Sequence, residues 1–363
     1  MITALIVVGI LVLLIVAHEL GHFIAAKIFK VRVEEFGVGY PPRAFILGKI
    51  GDTEYTLNWL PLGGFVRLFG DEGEKQKGPG SFVDARRHVQ AIILVAGVLA
   101  NAILAWGLFA GALTLGTPRV VDAPLPNESV RLVVADVVAG SPAESAGITA
   151  GDEIMNVSDD KGNTPKQLSP FEIQEFIRVR GGQQISINYA RAGATSAVSI
   201  RPAHAVIAEQ AERPAVGVAL VLVSNSPLPL RDVLKESLLR TRDAFISVAN
   251  GLWGIVREAL SGRPNLSGII GPVGLVGVVS DASSHGLGNV LALAGFISVN
   301  LAIINLIPIP ALDGGRLLLL AIETAWRRSV PRMAVQLINV LGVLLIALLM
   351  ITVTYNDIAR LFS

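Results

Sequence analysis

Four long stretches without a charged residue constrain this chain more than any other feature. They cover residues 1–17, with an apolar continuation to about 29, and then 89–118, 282–312 and 333–356. A helix needs about 20 apolar residues to cross the hydrocarbon core of a bilayer. The composition agrees, because only 16% of the residues are charged, against roughly 25% in a typical soluble domain. We therefore predict an α-helical polytopic membrane protein with four transmembrane helices.

The charge balance and the missing cysteines exclude several kinds of site. The chain has 30 Lys plus Arg and 29 Asp plus Glu, so it lacks the basic excess that a nucleic-acid-binding protein carries. Nucleic acid is therefore not an expected partner, whereas the lipid bilayer is. Because the chain contains no cysteine, disulfides, thiol nucleophiles and thiolate-bound metals are excluded. A metal site must use His, Asp or Glu.

Basic residues near the ends of the predicted spans indicate the orientation, since they concentrate on the cytoplasmic side. One side has nine of them and the other has three. The nine are Lys27, Lys30, Arg32, Arg86, Arg87, Arg316, Arg327, Arg328 and Arg332, and the three are Arg119, Arg131 and Arg360. We therefore expect residues 30–88 and 313–332 in the cytoplasm, and both termini and residues 119–281 outside.

Within the outer segment, residues 131–203 resemble a bacterial PDZ domain. The resemblance rests on Gly140-Ser141-Pro142-Ala143, followed by Ala146-Gly147 and Gly151-Asp152. It implies one inserted extracytoplasmic α+β domain, which would bind a peptide or the outer domain of a substrate by strand addition. Gly140 and Ser141 are the candidate contacts. The alternative is a folded spacer or steric filter without a ligand.

Residues 204–281 are expected to form a linker and one helix. Residues 231–260 have helical periodicity with charges on one face, which favours an amphipathic helix at the outer membrane face. A helix packed on the PDZ domain is the alternative. The predicted organisation is therefore a first membrane half (1–118), the PDZ domain (131–203), this linker and helix (204–281), and a second membrane half (282–363).

A chemical motif lies inside the first span, at His18-Glu19-Leu20-Gly21-His22. On a helix, His18 and His22 share a face one turn apart, so both imidazoles can reach one divalent ion while Glu19 stands beside a bound water. Ionisable residues within an apolar span are costly unless they are paired, and a metal ion supplies the pairing. A helix-packing or proton-relay cluster is the alternative.

A catalytic zinc usually has three protein ligands, and Asp313 is the candidate for the third. It ends the stretch Asn305-Leu306-Ile307-Pro308-Ile309-Pro310-Ala311-Leu312-Asp313. Both the first and the third span enter from outside, and His18 lies about 25 Å along its helix at 1.5 Å per residue. The motif and Asp313 should then reach the same depth near the cytoplasmic side. The alternative is an ordinary aspartate at a membrane boundary.

These motifs, in this order, resemble the site-2 protease family of intramembrane zinc metalloproteases, in particular the bacterial members that contain a PDZ domain. The resemblance implies that His18, His22 and Asp313 bind Zn2+, that Glu19 is the general base and that Asn305 positions the substrate or its oxyanion. It also implies a bacterial cytoplasmic (inner) membrane location, with single-span membrane proteins such as anti-sigma factors or signal-peptide remnants as substrates of regulated intramembrane proteolysis.

Two further segments are compared with this family. Gly97-Val98-Leu99-Ala100-Asn101 is similar to a Gly-Pro-x-x-Asn element, but Val98 replaces the proline, so no role carries over to Asn101. Residues 33–70 read as strands separated by turns and resemble the membrane-associated β-hairpin. An edge strand within 55–69, containing Leu57 and Val66, could bind an unwound substrate. A purely structural cytoplasmic loop is the alternative.

Two other classes of function remain open from the sequence. One is a membrane PDZ scaffold or adaptor without proteolytic activity, in which the metal site is structural. The intact Glu19 argues against it, because a structural site has no use for a general base. The other is a transporter, since intramembrane carboxylates mark ion paths. The lack of an inverted repeat between the pairs of spans disfavours transport.

Overall fold

The computed structural model describes residues 2–71, 78–124, 128–191, 193–204, 206, 213–262, 270–328 and 330–361. These residues form two compact units. The first, here the helical unit, combines Met1–Leu115 with Pro229–Ser363, and the second, here the strand unit, is Gly116–Leu228. Each is described by itself.

Four of the described helices are long and apolar enough to cross a membrane, and all belong to the helical unit. They are α1 (Ile2–Ile28), α2 (Arg87–Thr114), α7 (Leu287–Leu306) and α9 (Arg332–Leu361). They coincide with the four charge-free stretches, which confirms the prediction of four apolar helices.

The third stretch is divided further than the charge pattern suggested. Its first residues end α6 (Pro272–Ser284), and its last residues, 307–312, form an irregular loop between α7 and α8 (Asp313–Trp326). Pro308 and Pro310 lack the backbone N–H that a continuing helix requires, and Ala311 adopts a positive φ of 72°. Asp313 is therefore the first residue of a new short helix and not the end of the span.

Close approach of α1 to α2 depends on a glycine of the HExxH segment. A Cβ on Gly21 would lie 2.3 Å from the backbone oxygen of Ala96, which is shorter than any real contact. The packing of these two helices continues through Ala25, Ala26, Ile93 and Leu94, which are buried in one cluster. The absence of a side chain at Gly21 thus lets the metal-motif helix lie directly on its neighbour.

The amphipathic segment forms α5 (Leu230–Leu260), which packs along α2 and α7. Val248 is buried with Ala105, Phe109 and Val299, and Trp106 Nε1 donates to the Leu234 carbonyl at 3.3 Å. Neither sequence interpretation described this arrangement. The sequence periodicity predicted a helix over these residues but could not identify the surface against which it packs.

The hairpin consists of β1 (Val33–Ile50) and β2 (Thr53–Leu68), paired antiparallel and bent so that each strand contributes two segments. Phe36 pairs with both Tyr55 and Val66, and Leu57 pairs with both Val38 and Phe45. The order across this sheet is therefore 64–68, 33–38, 53–58 and 43–50. Val66 lies on an edge segment, as expected, but Leu57 lies on an inner segment whose backbone is paired on both sides.

A buried carboxylate holds the hairpin segments together. Glu35 is 1% exposed and pairs with Arg43 Nη2 at 2.5 Å and with Arg67 Nη2 at 2.6 Å. Thr56 Oγ1 also donates to it at 2.8 Å. Because the partners of Glu35 come from all the other segments, one side chain connects both edges of the sheet to its centre.

The strand unit is a six-stranded antiparallel sheet with the order β3-β8-β4-β5-β6-β7. Its strands are β3 (Arg119–Val121), β4 (Val130–Val137), β5 (Glu153–Asp159), β6 (Ile185–Arg191), β7 (Ala194–Ile200) and β8 (Val218–Ser224), with short helices α3 (Pro142–Ser145) and α4 (Pro170–Arg178).

This unit extends beyond the predicted 131–203 at both ends. β8 comes from the segment expected to be a linker, yet it pairs with both β3 and β4 and buries Leu222 in the core of the sheet. The expectation of a linker was wrong here because the partners of β8 are distant in sequence, so the pairing could not be inferred from the local pattern.

Candidate metal centre

Three side chains from distant parts of the helical unit converge on one point. His18 and His22 lie one turn apart on α1, and Asp313 begins α8. Asp313 Oδ2 lies 2.9 Å from His18 Nε2 and 3.2 Å from His22 Nε2, and the two Nε2 atoms are 3.2 Å apart. The two histidines are 6% and 8% exposed. The structure therefore brings all three sequence-predicted ligands together in a buried position.

The donor set and its spacing fit a zinc ion. Ligand atoms at about 2.0–2.2 Å from zinc in a tetrahedron lie roughly 3.3 Å from one another, close to the three separations observed. Two imidazole nitrogens and one carboxylate oxygen also give the three protein ligands of a catalytic site, which keeps its fourth position open. His18, His22 and Asp313 would hold the ion.

Helix α2 forms the wall against which the two imidazoles pack. His22 Nδ1 lies 2.7 Å from the Ile93 carbonyl oxygen, to which it donates, so Nε2 is left free to bind a metal. A Cβ on Gly97 would lie 2.4 Å from His22 Nε2 and 2.7 Å from His18 Cε1. Sequence reasoning noticed Gly97 only as part of a similar motif, because spacing alone does not show that a glycine faces a histidine on another helix.

Tight turns position Asp313. Cβ atoms on Gly314 and Gly315 would lie 2.2 Å and 2.3 Å from the backbone oxygens of Ile307 and Ile309, respectively. Only glycine allows α8 to begin directly under the 307–312 loop. Arg316, one turn into α8, pairs with Asp71 at 2.6 Å. The first turn of α8, which includes Asp313, is thus held by the 307–312 loop and by the ion pair with Asp71.

Glu19 lies next to the edge of the hairpin. Its Cγ is 3.1 Å from the position that a Cβ on Gly64 would take. Gly64 belongs to the edge segment 64–68, so this edge lies against the side chain of the proposed general base. This adjacency joins an exposed sheet edge to the metal centre.

The structure does not place Asn305 among the metal-binding atoms. It lies in the last turn of α7, half-buried, eight residues before Asp313. Within the described part of the chain, its side chain makes no hydrogen bond, so the amide remains available to a ligand.

In the strand unit, Gly140 and Ser141 have a structural role. Ser141 is 2% exposed, and its hydroxyl accepts from the Glu144 N–H at 3.2 Å as the N-cap of α3. Gly140 N–H donates to Glu144 Oε2 at 2.6 Å. A groove lies elsewhere, between α4 and the start of β8, and its lining includes Ile173, Gln174, Ile177, Val216, Gly217 and Val218. Ser141 packs behind this groove, because a Cβ on Gly217 would lie 2.3 Å from its Cβ.

Among solved structures, a crystal structure of the PDZ domain of an SdrC-like protein from Listeria monocytogenes is similar to part of this chain. The two are 21% identical, the match covers 27% of this chain and 93% of that domain, and the TM-score is 0.21.

The family comparison covers almost the whole sequence. Residues 5–349 match the model of peptidase family M50. A candidate zinc metalloprotease of Clostridium perfringens is 32% identical over 348 residues, which are 95% of each chain. Zinc metalloprotease RasP of Shouchella clausii is 28% identical over 431 residues, covering 99% of this chain and 100% of the relative. RasP of Geobacillus kaustophilus is 27% identical and is covered to 96%.

These matches confirm the resemblance drawn from the motifs, and with it the expectation of Zn2+ as the cofactor. This chain belongs to peptidase family M50, the site-2 protease family, and is a membrane zinc metalloprotease.

Proposed function

We propose that this protein cleaves peptide bonds inside the transmembrane segments of single-span membrane proteins. One observation carries the proposal: the two histidines and Glu19 lie within α1, an apolar helix long enough to span a bilayer. A scissile bond must therefore reach them at membrane depth. Anti-sigma factors and signal-peptide remnants, cut in regulated intramembrane proteolysis, are substrates of this kind.

The proposed location is the cytoplasmic membrane of a bacterium, with the active site near the cytoplasmic face. Its support is the excess of basic residues beside 30–88 and 313–332, which belongs on the cytoplasmic side. Both termini and the strand unit are then extracytoplasmic. The hairpin lies on the cytoplasmic side, where its exposed Phe45, Leu47 and Trp59 would enter the edge of the bilayer.

The reaction is hydrolysis of an amide by water. Zinc, when bound by His18, His22 and Asp313, supplies a Lewis acid that acidifies water and polarises a carbonyl. Glu19 takes the proton of the attacking water and delivers it to the leaving nitrogen as the C–N bond breaks. The free amide of Asn305 donates to the substrate carbonyl and stabilises the negative charge that develops on its oxygen.

Substrate presentation is assigned to the hairpin edge at 64–68. A transmembrane helix hides its carbonyls in its own hydrogen bonds, so it must become extended before it can be cut. Val66 lies on an edge segment, and Gly64 of the same segment lies against the Glu19 side chain, so an added substrate strand would run beside the general base. Leu57 supports this edge from within the sheet and makes no backbone contact with the substrate.

The strand unit is assigned the role of a PDZ domain that binds extended peptide or the outer part of the substrate. Its groove combines the apolar side chains of Ile173 and Ile177 with the outer side of the first residues of β8, with which no strand in the described part of the chain pairs. An edge strand beside a helix is the arrangement that peptide-binding modules use for strand addition. The groove takes over the ligand contact first expected at Gly140 and Ser141.

The decisive experiment places the purified protein in bilayer discs with a single-span substrate labelled at both ends. We expect wild-type protein to release a product whose new terminus lies inside the apolar segment, as read by mass spectrometry, and Glu19→Gln to release none. Cleavage confined to residues outside the apolar segment would contradict intramembrane proteolysis. Binding of the substrate without cleavage by wild type would favour the scaffold alternative.

A further inference from the structure

A buried asparagine touches the metal centre without belonging to the ligand set. Asn101 is on α2, is completely buried, and its Nδ2 lies 3.4 Å from Nδ1 of His18. Its other amide atom, Oδ1, is buried without a hydrogen-bond partner among the described residues. An unpaired buried oxygen is destabilising, so its persistence in a tightly packed helix interface requires an explanation.

The protonation of the neighbouring His18 imidazole explains why this oxygen is present. His18 presents Nε2 to the point shared with His22 and Asp313. A neutral imidazole that binds a metal through Nε2 carries its proton on Nδ1. That N–H needs an acceptor, and Asn101 has the side chain in contact with it. A half-turn about the Cβ–Cγ bond of Asn101 exchanges Oδ1 and Nδ2, which have nearly the same shape. It brings the unpaired oxygen to the N–H.

Helix α2 also provides a hydrogen-bond acceptor for the second histidine. His22 Nδ1 donates to the Ile93 carbonyl, and Gly97 lies between the two acceptors and faces both rings. Residues 93, 97 and 101 are spaced by four, so they form one stripe along a helix. A single face of α2 therefore provides one acceptor for each imidazole, and at its midpoint a glycine that leaves room for both rings.

We infer that Asn101 is a positioning residue of the metal centre: its Oδ1 accepts from His18 Nδ1 and so fixes the tautomer and the plane of that ring for zinc binding through Nε2. The inference rests on the proposed assignment of His18 as a ligand. Outer partners of metal-bound histidines are worth about 10- to 100-fold in metal affinity. A proline three residues earlier is not required for this role, so Val98 is compatible with it.

The test measures zinc affinity of the full-length protein by chelator competition. Asn101→Leu retains the size but removes the acceptor, and we expect its affinity to fall about 10- to 100-fold. Asn101→Asp keeps an oxygen at the same place, and we expect an affinity at least equal to that of wild type. Asn101→Ala, which is smaller, repeats the first comparison if the leucine variant fails to insert.

Ser298→Ala is the matched control, because Ser298 Oγ donates to the backbone oxygen of the same Asn101 at 2.9 Å. It disturbs the same interface without touching His18, so zinc affinity should remain as in wild type even if thermal stability falls. An unchanged affinity in Asn101→Leu, or an equal loss in Asn101→Asp, would overturn the positioning role. His18→Ala is measured in parallel: unchanged affinity there would show that the ligand assignment had failed instead.

Discussion

Asp313 Oδ2 lies 2.9 Å from His18 Nε2 although 295 residues separate them in the chain. His18 belongs to the first helix and Asp313 to a short helix after the third span, so the contact joins two elements that lie far apart in the sequence. The metal centre is consequently a property of the whole helical unit and not of the HExxH helix alone.

Zinc content should distinguish variants of the metal ligands from a variant of the general base. We expect Glu19→Gln to retain zinc while losing proteolysis, because the carboxylate moves a proton but does not hold the ion. His22→Ala and Asp313→Ala should lose zinc as well as activity. Metal content of the purified proteins, measured beside cleavage, checks this. Full zinc occupancy in Asp313→Ala would remove that residue from the ligand set.

Gly97 should tolerate no side chain. In Gly97→Ala the new methyl group would have to displace both imidazoles, so we expect zinc affinity and proteolysis to be lost. Gly107→Ala on the same helix is the control, since a Cβ there meets no atom within 4 Å. It should leave zinc affinity unchanged and could stabilise α2 by up to about 1 kcal/mol. Equal zinc affinities in the two variants would contradict the close packing of α2 against the two imidazoles at Gly97.

Comparison of the two glycines shows where sequence reasoning stops. His18, Glu19 and His22 could be predicted because helical spacing alone puts them on adjoining faces, and Asp313 because span order and direction give its depth. Motif similarity drew attention to Gly97, but nothing in the sequence indicated that Gly97 faces the rings whereas Gly107 faces open space. Likewise, α5 was recognisable as a helix and β8 was not recognised as a strand, and the partners of both depend on long-range packing that periodicity does not encode.

Proline at the hairpin edge should block substrate capture. We expect Val66→Pro to reduce cleavage strongly at unchanged zinc content, because proline removes the backbone donor, and Val66→Ala to have a mild effect. Leu47→Pro lies on the opposite edge, at an irregularity between the pairs of Ile46 and Gly48, and should leave cleavage nearly normal. Similar activity of Val66→Pro and Val66→Ala would argue against strand addition here.

The proposed orientation can be read with single cysteines, since the chain has none of its own. Lys161 and Arg86 are both exposed within their own units. Lys161→Cys should react with an impermeant maleimide in intact cells, and Arg86→Cys should react only after the cells are opened. The reverse pattern would invert the topology and move the active site to the outer face.

The strand unit should lose stability in acid through Asp152. Arg191 holds the pKa of this carboxyl below its usual range, through contacts of 2.7 Å to both oxygens. A lowered folded-state pKa contributes stability above the unfolded value of about 3.9, and that contribution disappears as pH falls through the folded-state value. Protection of the β5 and β6 amides against hydrogen exchange should therefore decrease below about pH 4.

The matched variants for this prediction are Asp152→Asn and the exposed neighbour Asp160→Asn. The first should lower the free energy of unfolding of the strand unit by about 1–3 kcal/mol at neutral pH and weaken its acid dependence. The second should change neither. If Asp152→Asn retained the wild-type acid dependence, the pairing with Arg191 would not be its cause.

The bounds of the strand unit change how its role should be tested. Removing only 131–203 would leave β3 and β8 without the strand β4 that lies beside β8, and the exposed edges would invite aggregation. A deletion of 116–228 removes the whole sheet. With that deletion we expect cleavage of a short model span to persist and selectivity against substrates with bulky outer domains to fall. Loss of all cleavage by an inserted, zinc-loaded deletion protein would show that catalysis itself needs the unit.

The 295 residues between His18 and Asp313 also set a delay between the synthesis of the first ligand and that of the last. A ribosome adds about 5–20 residues per second, so about 15 to 60 s pass between the histidine and its carboxylate partner. After α1 has left the ribosome, it would spend the rest of that interval with Glu19 in place but without the third ligand. A metal centre whose third ligand is made this late cannot form before α8 has been translated, so a truncated chain that ends before α8 should be inert.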